Sequence, residues 1–248
     1  MRLHPTWPVA VAVLTLFAAA GCGGSNDKQG STSTSSATTT QRPARRAPAK
    51  KGPVPQSLGS VESGAEDTID FAHAGDRARV VKTTQKLRKT ARARAAADLR
   101  EAGVPAALIA ELQSRVRLLA GIAGRAELAR VSLAANRISA LMPTLYARFR
   151  DPVPPAVLEL DYLDREAQLR SIAGDQSAVP PATKALVSTW APLRARVIRA
   201  GGRKVAGRYT RHVIAMRRLA RGADREALQD EAARGLELVD ELERQFTR

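Results

Sequence analysis

Nucleophilic and metal-binding chemistry draws on thiols, imidazoles and paired carboxylates, and this chain holds few of them. It has one cysteine, Cys22, and three histidines in 248 residues. Neither His73 nor His212 has a second imidazole a helical turn away, so the common ligand spacings for a transition metal are absent. No G-x-S-x-G turn and no phosphate-cradling glycine loop occurs. Ser132, Ser139, Ser171 and Ser188 fall on expected helices with no histidine in sequence reach. Glu159, Asp161, Asp164 and Glu166 have the density of catalytic carboxylates, but Arg165 and Arg170 interleave with them, which reads as a solvated or ion-paired helix face. The expectation is a non-catalytic protein with no cofactor and no metal.

Binding residues are easier to nominate. Asn136, Tyr162 and Trp190 lie on or beside apolar stripes; they either line a ligand pocket between helices or sit in the core with satisfied polar tips. The pocket alternative makes the protein a small-ligand receptor of an uptake or sensing system. Arg79, Lys82, Lys86 and Lys89 share one helix face, and Lys204, Arg208, Arg211, Arg218 and Arg221 share another. Such faces meet anionic polymers or headgroups, or are simply the solvated backs of amphipathic helices. No aromatics interleave with them, so stacking on nucleic-acid bases has no support.

The start of the chain has its own pattern. Arg2 precedes an apolar run from Val9 to Ala20, and Ala19-Ala20-Gly21 stand directly before Cys22. This is the layout of a secretory signal peptide, with an apolar run too short to span a bilayer. Gly21-Cys22 after two alanines resembles the lipobox of bacterial lipoproteins, a resemblance confined to residues 1–22; Ala19 stands where that family most often has leucine. The resemblance implies cleavage between Gly21 and Cys22, a diacylglyceryl group on the Cys22 thiol, and residence on the outer side of the cell membrane. Two or more acyl chains hold firmly where one does not, at ~0.8 kcal/mol per buried methylene.

Residues 22–58 are Ser, Thr, Gly, Pro, Lys and Arg with hardly an aliphatic side chain, and read as a disordered tether. Residues 59–248 are long enough for one domain with its own core. Of the formal charge of +16, Arg2 carries one and the tether five, which leaves +10 on that domain. Outside the cytoplasm such a surface points to anionic lipid headgroups, envelope polymers or acidic proteins rather than nucleic acid.

The elements that must position these residues all read as helices. No run alternates as a half-buried strand does. Leu128, Val131, Ala135, Ile138, Met142, Leu145 and Phe149 step by three and four without a miss and predict a central helix kinked at Pro143. Leu158, Tyr162, Leu169 and Ile172 mark the apolar stripe expected of the next helix. Gly75, Gly103, Gly174 and Gly201 read as helix stops. The sum is an all-α, antiparallel up-and-down bundle of about seven helices, with a short extra one before Gly75. Ala74-Gly75-Asp76, Val80, Thr84 and Leu87 recur 99 residues later as Ala173-Gly174-Asp175, Val179, Thr183 and Leu186, an echo that either a duplication or shared turn physics would produce.

Overall fold

The structure, a computed structural model, describes residues 52–248, so Gly21, Cys22 and most of the expected tether lie outside the described residues. Those residues are all-α. The helices are α1 (Gln56–His73), α2 (Arg77–Thr90), α3 (Ala96–Glu101), α4 (Ala106–Ile122), α5 (Leu128–Ser139), α6 (Met142–Tyr146), α7 (Pro155–Ile172), α8 (Val179–Arg199), α9 (Arg203–Leu219) and α10 (Arg225–Phe246). A π segment, Ala91–Ala95, joins α2 to α3, and a 3-10 turn, Gln176–Ala178, precedes α8. Among the described residues the one sheet-like contact is an isolated bridge between Pro53 and Arg150.

Three expectations need correction. The boundary at residue 59 falls inside α1, whose Leu58 is fully buried. The helix expected from Leu128 to Phe149 is broken rather than kinked: α5 ends at Ser139, and Pro143 sits in the first turn of α6, where its missing N–H costs nothing. The segment before Gly75 is no short extra helix but an 18-residue one.

The helices close over two cores. Leu58, Val61, Leu87, Leu99, Leu112, Leu119 and Ile138 belong to the first, built from α1 to α6 together with Leu169 of α7; Leu160, Leu186, Trp190, Tyr209, Met216 and Leu242 belong to the second, built from α7 to α10. Helices α5 and α6 both touch α7, which joins the halves.

The two halves are built to one plan. Helices α1 and α7 begin and end 99 residues apart. Gly75 and Gly174 both have positive φ, 73° and 76°. At each, the glycine N–H and the N–H after it bond back to the helix just ended, Gly75 to Ala72 and Asp76 to Phe71, Gly174 to Ser171 and Asp175 to Arg170. Val80, Thr84 and Leu87 are buried in α2 as Val179, Thr183 and Leu186 are in α8. Past the π segment the spacing shortens by one, pairing Leu99 with Val197 and Gly103 with Gly201. One residue fewer in the following turn shortens it again, pairing Leu112, Val116 and Leu119 with Tyr209, Val213 and Met216, and Val131, Ala135 and Leu145 with Leu228, Ala232 and Leu242. The echo around Gly75 is therefore one part of a correspondence running the length of both halves, and the π segment accommodates a single extra residue in the first.

Deleting Ala93, an exposed residue of that segment, is expected to convert it to regular α-helix and to move Tm by less than ~5 °C. Deleting Ala185 from α8, which has no such slack, turns half the helix by about 100° and takes Val179 and Thr183 off the core, at a cost of ~2–3 kcal/mol or more. Thermal melts of the two deletions check this; equal losses would refute the slack.

Candidate functional site: a sealed buried cluster and exposed cationic faces

Four helices' worth of packing brings together residues that are remote in sequence. Asp164 on α7 is fully buried. Its Oδ2 accepts from the Tyr209 hydroxyl at 2.7 Å, and its Oδ1 lies 2.8 Å from His212 Nε2; both partners are on α9. His212 Nδ1 lies 3.0 Å from Glu231 Oε1 on α10, whose other oxygen accepts from Arg234 at 2.6 Å. Tyr209 also packs on Trp190, ring centroids 4.7 Å apart. Burial alone would depress the His212 pKa, but the hydrogen bonds and charges of Asp164 and Glu231 outweigh it and raise it.

That geometry determines what the cluster can do. A carboxylate faces each ring nitrogen, which favours an imidazolium donating from both and leaves no lone pair to take a proton from a substrate. The back of the cluster is closed by Gly235: a Cβ there would stand 2.6 Å from Asp164 Oδ2 and from His212 Nε2. The arrangement is a buried ion pair that ties α7, α9 and α10 together. Among the described residues, no group of three or more His, Cys, Asp or Glu is arranged to hold a metal ion.

The acidic face, expected to be solvated or ion-paired, is ion-paired and partly buried. Asp164 and Glu166 are buried, while Asp161 and Arg165 do form the expected pair, 3.1 Å apart, as do Glu166 and Arg170 at 2.7 Å. The apolar stripe of α7 is wider than expected: Leu169 is buried and Leu158 and Tyr162 pack against the cores as read, but Val157, Leu160, Leu163 and Ala167 form a further buried face, and Ile172 is 42 % exposed. The large apolar residues Leu158, Tyr162 and Ile172 suggested one phase, and Asp164 in the middle of the further face concealed the other. Sequence signals for the cluster did exist: Asp164, His212 and Gly235 each fall in step with the buried residues of their own helices.

The first half fills three of the same places without charge. By the spacing of the two halves, Ala65, Leu112 and Ile138 correspond to Asp164, Tyr209 and Gly235, and all three are fully buried. Arg115 corresponds to His212 and is half-buried, donating to Glu111 and to the carbonyl of Arg137.

Asn136, Tyr162 and Trp190 are not brought together around one pocket. Asn136 is buried between the halves, its Nδ2 donating to Glu166 Oε2 at 2.9 Å and to the Tyr162 carbonyl at 3.3 Å. Trp190 lies in the second core, its Nε1 donating to Thr210 Oγ1 at 3.1 Å.

Charge is sorted by helix. Helix α1 holds four carboxylates and no Lys or Arg, and α10 holds seven against three arginines. Helices α2 and α3 with the π segment carry nine Lys and Arg against two carboxylates, while α8 and α9 carry four and six against none. The nominated cations are exposed: Arg79, Lys82, Lys86 and Lys89 on α2, and Lys204, Arg208, Arg211, Arg218 and, just past the helix, Arg221. Arg79 pairs with Asp76 and Arg208 with Glu241. Among the described residues, none places a carboxylate within 4.0 Å of Arg211, Arg217, Arg218 or Arg221. On the acidic side, burial with neighbouring carboxylates lifts Glu62 and Glu243 to about 7 and Glu66 to about 8, partly offset at Glu62 and Glu66 by Arg165.

No family model matches this chain, and no curated protein and no solved structure matches it either.

Two predictions follow from the buried groups. His212→Ala strands the Asp164 carboxylate and is expected to cost ~3–5 kcal/mol, and Gly235→Ala is expected to be comparably damaging. Installing the first half's set instead, Asp164→Ala, Tyr209→Leu, His212→Arg and Gly235→Ile together, should cost less than ~2 kcal/mol. Urea unfolding of the three variants checks this, and a combined loss equal to the sum of the single ones would sink it. The second prediction concerns pH. Glu62, Glu66, Glu243 and His212 all bind protons more tightly folded than unfolded, so their stabilisation is complete below their unfolded pKa values; that of the three glutamates is lost as pH rises through about 7 to 8, and that of His212 as pH rises through its own raised pKa. Tm should fall between pH 5 and pH 9, and fall less in a Glu66→Gln, Glu243→Gln variant.

Proposed function

We propose that the protein is an extracytoplasmic lipoprotein, held on the outer side of the cell membrane through Cys22 and reaching out on a polar tether. Its helical domain, an antiparallel up-and-down arrangement in each half, acts by binding rather than catalysis. The partner is a protein or an anionic component of the envelope, lipid headgroups and acidic polymers included.

The observation that carries this reading is the exposed arginine face of α9. A solvated helix back commonly mixes both signs of charge, whereas here the carboxylates that would balance the cations of α9 are gathered on α1, α7 and α10. Uncompensated cations of this density raise the local concentration of anions and speed association with them, an effect that weakens with salt. The inward-facing histidine cluster supports the non-catalytic part, because its proton-accepting sites are occupied within the protein.

In-cell crosslinking followed by mass spectrometry tests the reading. The chain should fractionate with membrane and yield a specific crosslinked partner, and Cys22→Ser should lose the salt-resistant part of that fractionation and weaken the crosslink. Charge reversal at Lys82, Lys86 and Lys89, or at Arg211 and Arg218, should weaken partner capture at least several-fold without lowering Tm. Capture unchanged by either reversal and insensitive to salt would overturn the anionic partner.

A further inference from the structure

We infer that the surface formed by α8 and α9 docks directly on anionic phospholipid, the bilayer surface being its occupant. The inference rests on the reading above and narrows it to one face and one chemistry. Between the two helices runs a groove of about 510 Å³ whose lining includes Pro180, Val187 and Ala220 along with Lys184, Arg217 and Arg221. Arg217 and Arg221 also border a second, shallower depression whose apolar member is Ile214. Ile214 is 64 % exposed, a large aliphatic side chain standing in solvent on a helix that otherwise shows cations there. Arg211, Arg217 and Arg218 lie within four residues of it and, as described, have no carboxylate partner.

An apolar residue ringed by unpaired arginines has little use for a purely hydrophilic anion. An acidic polymer would be bound by the cations alone and would leave Ile214 in water. A bilayer surface satisfies both: phosphates take bidentate guanidinium contacts while the aliphatic side chain enters the boundary between headgroups and acyl chains. The groove adds room for the upper part of an acyl chain beneath the same arginines. The first half has only a smaller version of this combination. Its counterpart helix, α4, exposes Leu118 but carries two arginines, of which Arg115 is bonded to Glu111, and the groove beside it, lined by Arg88, Arg92 and Arg117, measures about 270 Å³. The larger groove and the denser cations assign the docking surface to the second half.

The chain's single cysteine makes a direct test available. A full-length Cys22→Ser, Ile214→Cys variant has one thiol and no lipid acceptor, and a polarity-sensitive dye on that thiol reports its surroundings. Vesicles of phosphatidylcholine with phosphatidylglycerol should shift the dye's emission to the blue, whereas phosphatidylcholine alone should not. Adding Arg217→Glu and Arg218→Glu should weaken the titration at least tenfold, and Lys82→Glu, Lys86→Glu and Lys89→Glu together less than threefold. A dye on Lys82→Cys in the Cys22→Ser chain should not shift. Salt-sensitive binding to the vesicles or to polyglutamate without a blue shift at position 214 overturns this inference and leaves the anionic reading standing. Binding to neither overturns both.

Discussion

A carboxylate buried without solvent must be met by partners on every side, and Asp164 imposes that requirement on three helices at once. Its two oxygens take Tyr209 and His212 from α9, His212 in turn draws in Glu231 from α10, and the space left between them admits only a glycine at 235. None of these residues is free to change alone, because removing one leaves a charge or a donor stranded in the core. The first half shows that the backbone does not demand this solution. Ala65, Leu112 and Ile138 fill the corresponding places by packing alone. An ion pair of this kind is poor evidence for extra stability, since desolvation of the charges offsets most of their attraction. Its more defensible effect is orientation: hydrogen bonds have direction where aliphatic contacts have little.

Sorting of charge by helix is the second organising feature, and it acts independently of the cores. Apolar stripes decide which face of each helix turns inward, and they work the same way on acidic α10 and basic α9. What sorting changes is the exterior. Glu62, Glu66 and Glu243 from α1 and α10 are close enough to Asp161 of α7 to hold one another's protons, with Arg165 as the cation among them. Like charge gathered in one place costs stability at neutral pH, and a protein carrying ten net positive charges on its folded part had the means to dilute it. That the carboxylates stand apart leaves Arg211, Arg217 and Arg218 of α9 without partners.

Much of the helical framework was legible in the sequence because its signals are local. Glycine stops at 75, 103, 174 and 201 follow from one residue's freedom to adopt positive φ. The stripes of α4, α8 and α9 follow from three- and four-residue steps. Even the echo at Gly75 and Gly174 was visible, though its extension past residue 91 was hidden by two one-residue changes in spacing, at the π segment and in the turn after it. Failures came where a polar residue occupies an inward position. Asp164 interrupts one of the two buried faces of α7, and reading around it by size found Leu158, Tyr162 and Leu169 but missed Val157 and Leu160. Asn136, on the edge of a stripe, is buried because Glu166 arrives from another helix 30 residues away. Pairings at such separations carry no local signature, so the buried cluster could be suspected only from three polar or small residues each in step with a stripe.

The two features meet in α9. A helix held by aliphatic contacts alone can settle through a range of rotations about its own axis at little cost, whereas one held by hydrogen bonds at Tyr209 and His212 has a narrow choice. With those two side chains fixed on Asp164, residues 211, 214 and 218 face outward as a consequence, since each lies about 100° or more from both anchors around the helical wheel. Glu231 adds a second restraint from α10, and the Arg208–Glu241 pair a third. The corresponding helix of the first half, α4, lacks the buried ion pair and also lacks the run of unpaired arginines around an exposed aliphatic side chain. One half thus carries both a directional core and the exterior face that it orients. The charged interior is best understood as what sets the angle of the arginine surface, which gives the second half a reason to keep a costly buried pair that the first half does without.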